Sequence, residues 1–102
     1  MYKMGRIETI EHRGENMMRI LEVWESAVKK THTFLSDTDF NSIKSEVLQG
    51  ANAVQHLYGF FDDSGILQGF IGVDDRKTEM LFVDDEARGK GIGRQLLSFA
   101  LH

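Results

Sequence analysis

Between Ala53 and Val83 the chain carries three extended runs with only two short turns separating them. "AVQHLYGFF", "ILQGFIGV" and "TEMLFV" are rich in β-branched and aromatic residues, which suit a pleated, half-buried surface. "DDSG" joins the first two runs and offers Gly65 for a positive φ, and "DDRK" joins the second to the third. Connections this short make neighbouring runs pair antiparallel, because a parallel pair needs a long crossover. The spacing predicts a meander of strands over residues 53–61, 66–73 and 78–83.

Helical periods flank the meander. Near the start, "MGRIETIE" places Ile7, Thr9 and Ile10 in a short strand over residues 4–10. Met17, Ile20, Leu21, Trp24, Ala27 and Val28 then recur at helical spacing and predict an amphipathic helix over 15–29, with Trp24 on the core face. Ser36 precedes Asp39 by three residues, a capping-box-like start with Asp in place of Glu. Phe40, Ile43 and Val47 continue one apolar face over 37–49, and Gly50 reads as the helix stop. After Gly91, the residues Ile92, Leu96, Leu97, Ala100 and Leu101 mark a last helix that runs to the end of the chain. The order β-α-α-β-β-β-α predicts one α/β (α+β) domain over residues 1–102, a mainly antiparallel sheet with helices on its faces.

Composition removes several function classes. The chain has no cysteine, which excludes disulfides, thiolate zinc sites and a cysteine nucleophile. It has no proline, so helix ends and turns fall to Gly, Asp, Asn and Ser. A net charge of −4 argues against a general nucleic-acid or anionic-membrane surface. No apolar run approaches the roughly 20 residues that span a bilayer. "MYKMGRIETI" lacks the apolar core of a signal peptide, and the expected location is cytoplasmic. No set of residues has metal-ligand spacing. His56 alternates within a strand and reads as structural, while His12 and His102 read as surface residues.

The chemistry is concentrated in "EARGKGIGRQLL", residues 86–97. A strand ending at Val83 leads through glycines and basic residues into a helix that starts near Gly91. Helix N-termini carry unpartnered N–H groups and about half a positive charge, so an anion satisfies them. Glycines let a phosphate approach the backbone, and Arg88, Lys90 and Arg94 add positive charge. The glycines would equally serve a plain turn. Neither a Walker loop nor a dinucleotide fingerprint fits the spacing Gly89, Gly91, Gly93. Strand, basic glycine loop and amphipathic helix in succession form the more specific combination.

"LFVDDEARGKGIGRQLLSFA" resembles the acyl-CoA-binding motif of the GNAT superfamily of N-acetyltransferases, Arg/Gln-x-x-Gly-x-Gly/Ala. Arg88, Gly91 and Gly93 match it, and the element order upstream agrees over essentially all 102 residues. One departure is that many members carry Pro where Asp85 stands. "VWESAVKKTHTFLSD" is also similar to a bacterial subgroup of small GNAT proteins with a Trp…Thr-His-x-Phe-Leu stretch. The resemblance implies that acetyl-CoA is the cosubstrate and an amine the acceptor, with direct attack and no covalent enzyme intermediate. It implies that the backbone of Leu81, Phe82 and Val83 pairs with the pantetheine arm. The pyrophosphate would lie on Arg88, Gly89, Lys90, Gly91, Ile92, Gly93 and Arg94, and Gly91→Glu is expected to block CoA binding with the fold intact. A backbone N–H near Leu81 would polarise the thioester carbonyl. Glu79 is the candidate general base, against a plain solvent-facing role. His32 is the candidate acceptor contact or proton relay, against a packing or capping role.

Family members continue past this helix with a further strand, a helix and usually two more strands. The chain therefore reads as the N-terminal portion of the acyl-CoA N-acyltransferase fold, either a fragment or a minimal form. A non-catalytic acyl-CoA-binding or interaction module is the alternative. Strand 78–83 would be an open sheet edge on the cofactor side, which predicts self-association through it.

Overall fold

Residues 5–32, 35–75 and 77–101 are described by the computed structural model, apart from the side chains of residues 30–32. In chain order they form β1 (Gly5–Thr9), α1 (Arg13–His32), α2 (Asp37–Ala53), β2 (His56–Asp62), β3 (Leu67–Asp74), β4 (Lys77–Val83), a single 3-10 turn (Asp85–Ala87) and α3 (Ile92–Ala100). The order is the one the periodicities predict. The four strands make one sheet, β1-β2-β3-β4, and every neighbouring pair is antiparallel.

The β2–β3 hairpin is tight because Asp62 serves it twice. Its Oδ1 accepts the N–H groups of Ser64 at 2.8 Å and Ile66 at 2.9 Å. Gly65 supplies the positive φ, +82°, that the turn needs. Those N–H bonds favour the ionised carboxylate. Led by the one from Ile66, and helped by the Gln68 side chain and the Arg19 charge, they hold Asp62 below its ordinary 3.8 against an opposing desolvation effect.

The two faces of the sheet carry separate cores. α1 and α2 cover one face, where Ile20, Val23, Trp24, Leu57 and Phe70 are buried together. Trp24 stacks on Phe40 of α2 with ring centroids 5.1 Å apart, so it is the core residue its spacing indicates. α3 covers the other face, packing its Ile92 and Leu96 against Phe60 and Ile71. Phe70 and Ile71 fall in opposite cores, as strand alternation requires.

α1 runs from Arg13 to His32, longer at both ends than the 15–29 expected, and two further boundary differences share one reason. α2 does not stop at Gly50. It continues to Ala53, and β2 accordingly begins at His56 and not at residue 53. Its last carbonyls find a partner across the fold: Arg13 Nη1 donates to Ala51 O at 3.2 Å, Asn52 O at 3.1 Å and Val54 O at 2.7 Å. α2 has no basic residue in its own last turn, so Arg13 also supplies the positive charge there. Gly50 serves packing instead. A Cβ built on it would lie 2.8 Å from Met80 Cε, the flexible tip of a side chain from β4, so the glycine leaves room for that methyl group.

Candidate functional site

Val83 ends β4 and the chain leaves the sheet through Asp84, which is buried with 8% of its surface exposed. Asp84 caps the 3-10 turn: its Oδ1 accepts the Glu86 N–H at 3.0 Å. Arg19 Nη2 donates to its Oδ2 at 3.1 Å, and Ser26 Oγ donates to its Oδ1 at 3.2 Å. Arg19 is itself fastened to the sheet, with Nε donating to Leu67 O at 2.7 Å. Nothing in the sequence pattern singled out Arg19, Ser26 or Asp84. The one signal available was an Asp directly before a short turn, the usual place for a cap.

The turn delivers the chain to Gly89 and Gly91, both at positive φ (+83° and +77°). Gly91 is the N-cap of α3 and offers no side-chain acceptor. α3 also lacks an acidic residue in its first turn, and Arg94 sits there instead. The contrast with α2 is direct. Ser36 caps α2 by accepting the Asp39 N–H at 3.1 Å, and Asp37 and Asp39 lie in its first turn. So α2 has a side-chain acceptor for one of its first N–H groups and acidic residues beside them, whereas the cap residue of α3 supplies neither. A helix end of that kind is complementary to an anion.

A groove of about 620 Å³ opens at this helix end. β4 contributes Leu81, Phe82 and Val83; the loop and α3 contribute Arg88, Gly89, Gly91, Ile92, Gly93 and Arg94; α1 closes it with Ala27 and Val28. Among the described residues β4 pairs only with β3, so its other edge, alongside the groove, has no strand partner. An extended chain-like ligand can pair with that edge by main-chain hydrogen bonds, the mode by which peptides add to sheets.

The structure thus gathers nine of the ten residues expected to bind the cofactor along one groove. Lys90 is the exception. With the chain turning at Gly89 and Gly91 on either side of it, Lys90 lines a separate hollow of about 220 Å³ with Asp62, Gln68 and Glu86. Glu79 is exposed and does not line the groove. It is the extra residue of a β-bulge: Gly72 pairs with Met80 and Val73 with Thr78, which leaves Glu79 unopposed. His32 ends α1, but its side chain lies outside the described residues, as do Thr31 and Phe34 of the Trp…Phe-Leu stretch. Gly91→Glu would put a side chain at φ +77°, a strained conformation for an L residue that costs roughly 1–2 kcal/mol. Among the described residues no group of His, Cys, Asp or Glu could hold a metal ion.

Arg88 and Asp85 carry most of the remaining ties to α1. The Arg88 guanidinium donates to Ala27 O at 2.8 Å, and Lys29 Nζ lies 3.2 Å from Asp85 Oδ2. Asp85, where many resembling proteins have Pro, donates its N–H to Ser26 Oγ at 2.9 Å. A proline has no N–H to give.

A family model described as "Acetyltransferase (GNAT) domain" matches residues 18–102. A curated relative, the peptidyl-lysine N-acetyltransferase YjaB of Salmonella typhimurium, is 28% identical over 89 residues, which cover 87% of this chain and 61% of that protein. The solution structure of apo-form YjaB from Escherichia coli superposes with a TM-score of 0.77 at 26% identity, covering 94% of this chain and 65% of that one. The PaiA N-acetyltransferase of Thermoplasma acidophilum, solved in complex with coenzyme A, gives a TM-score of 0.62 at 26% identity, over 93% of this chain and 69% of that one. The chain spans less than two thirds of the length of either YjaB protein.

Proposed function

The chain belongs to the GNAT acetyltransferase family, and on that premise we propose that it binds acetyl-CoA in the groove and transfers the acetyl group to a primary amine. The observation that carries this reading is the run of an open β4 edge into a glycine loop at an uncapped helix N-terminus. The edge suits the amide-bearing pantetheine arm, and the N–H groups at the start of α3 suit the pyrophosphate. The solved coenzyme A complex of the PaiA relative supports the same ligand class.

Acetyl-CoA supplies the acetyl group as a thioester. The acceptor nitrogen bonds to the carbonyl carbon, the C–S bond breaks and the CoA thiolate leaves. A backbone N–H near Leu81 polarises the thioester carbonyl, and Leu81, Phe82 and Val83 hold the arm in line. The amine gives its proton to Glu79, reached through water since Glu79 stands outside the groove wall. His32 is proposed on the acceptor side, at the end of α1. The name of the Salmonella relative supports a lysine side chain as acceptor, and a net charge of −4 suits a cation. We place the protein in the cytoplasm, in keeping with its lack of cysteine. Two copies are proposed to pair through the β4 edge.

Calorimetric titration with acetyl-CoA, coenzyme A and ATP tests the binding step. Preference for the two CoA compounds is the expected result, and equal or stronger binding of ATP would overturn it. Release of free thiol with a lysine peptide and a panel of small amines tests the transfer. Binding without thiol release would leave an acyl-CoA-binding module in place of an enzyme.

A further inference from the structure

Ser26 lies within α1, where its hydroxyl could bond back to a carbonyl of its own helix. It is turned across to the loop instead. Its oxygen accepts the Asp85 N–H at 2.9 Å and its proton goes to Asp84 Oδ1 at 3.2 Å. The Asp85 N–H begins the 3-10 turn and so has no partner inside it. Arg19 completes the arrangement, joining the Leu67 carbonyl to Asp84. A continuous path of hydrogen bonds therefore runs from the start of β3, through α1, to the first two residues of the loop. These contacts are partly buried, whereas the other ties to α1 use exposed side chains, Arg88 at 56% and Lys29 at 60%. Water competes with the exposed ties more than with the buried ones.

We propose that Ser26 is a positioning residue for the loop that binds coenzyme A. By holding Asp84 and Asp85 together it sets the direction in which the 3-10 turn delivers Gly89, Gly91 and the N–H groups of α3 to the groove. Only small errors are tolerated there, because charge-assisted hydrogen bonds to a pyrophosphate weaken steeply with misalignment. The inference rests on reading the groove as a coenzyme A site.

The backbone offers an independent way to impose the same geometry. Asp84 has φ −53° and ψ 135°, the extended conformation that a residue before proline prefers. Asp85 is the first residue of the turn, where the fixed φ of proline fits and its missing N–H costs nothing once Ser26 no longer accepts it, while the Lys29 pair lost with the carboxylate is exposed and contributes little. A proline at position 85 should therefore stiffen the loop without the hydroxyl.

The test compares coenzyme A affinity, by calorimetry well below the melting temperature, for wild type, S26A, S26T and the double variant S26A/D85P. Hydrogen exchange of the backbone amides follows the loop itself. S26A is expected to lose about five- to tenfold in affinity. Exchange should rise at the amides of residues 85–91 and not in β3. S26T and S26A/D85P should both recover most of the loss, which a general loss of stability would not allow. Wild-type affinity in S26A would overturn the proposal and leave the groove reading standing. Loss in S26A without recovery in either rescue variant would overturn it too. A wild type that fails to bind coenzyme A would overturn the groove reading itself and the proposal with it.

Discussion

The Arg88 guanidinium donates to the Ala27 carbonyl at 2.8 Å, which fastens the glycine loop to α1 across the mouth of the groove. The residue does two things at once, since it also brings a positive charge to the groove. Arg88→Ala should lower stability by about 1 kcal/mol or less, because the bond is exposed. It should weaken coenzyme A binding several-fold, and more at low salt than at high salt. Urea denaturation and calorimetry at two ionic strengths check both halves. A loss of affinity independent of salt would assign Arg88 to the tether alone.

Gly93 gives a cleaner probe of the cradle than Gly91. It lies in the first turn of α3, and a Cβ there would meet Val83 Cγ2 at an ordinary 3.7 Å. Gly93→Asp places a carboxylate at the helix N-terminus, which should raise stability by roughly 0.5 kcal/mol. The same charge opposes a pyrophosphate, and affinity should fall more than about tenfold. The two effects have opposite signs, so melting temperature and titration together separate fold from site. By contrast Gly91→Ala, at φ +77°, should cost about 1 kcal/mol or more.

The β4 edge cannot pair with a pantetheine arm and a second copy of the chain at once. Coenzyme A should therefore shift any dimer formed through that edge toward monomer. Light scattering over a concentration series, with and without saturating coenzyme A, checks this. A dimer that persists unchanged in the presence of bound ligand would place the contact elsewhere.

Asp62 makes the hairpin sensitive to acid. Its folded-state value is depressed below 3.8, chiefly by the Ile66 N–H. A depressed carboxylate contributes stability that is present above its ordinary value and lost as pH falls through the lower folded one. Denaturation midpoints should fall between about pH 4 and the onset of acid unfolding, and Asp62→Asn should flatten that slope. Equal slopes for the two proteins would show that other carboxylates govern the acid limb.

Much of the fold is legible because its signals are local. Leu57, Tyr58, Phe60 and Phe70 announce strands by type and alternation, and Asp62 to Gly65 announce a turn by their own backbone chemistry. Ile20, Leu21 and Trp24 announce a helix by period. Gly50 misled because a glycine near the end of a helical period has two uses, a stop or a close approach. Only its neighbour Met80, 30 positions further along the chain, distinguishes them.

The candidate site divides along the same line. Strand, glycine loop and helix follow one another directly, so residues 81–83 and 88–94 were determined by the sequence as a unit and arrive along one groove except for Lys90. What the tertiary structure decided is everything joined through space. Arg19 meets Asp84 across 65 positions, Ser26 meets Asp85 across 59, and Arg13 reaches Val54 across 41. Period, propensity and motif act over a few residues, whereas a hydrogen bond between distant residues exists only once the sheet has brought their elements together.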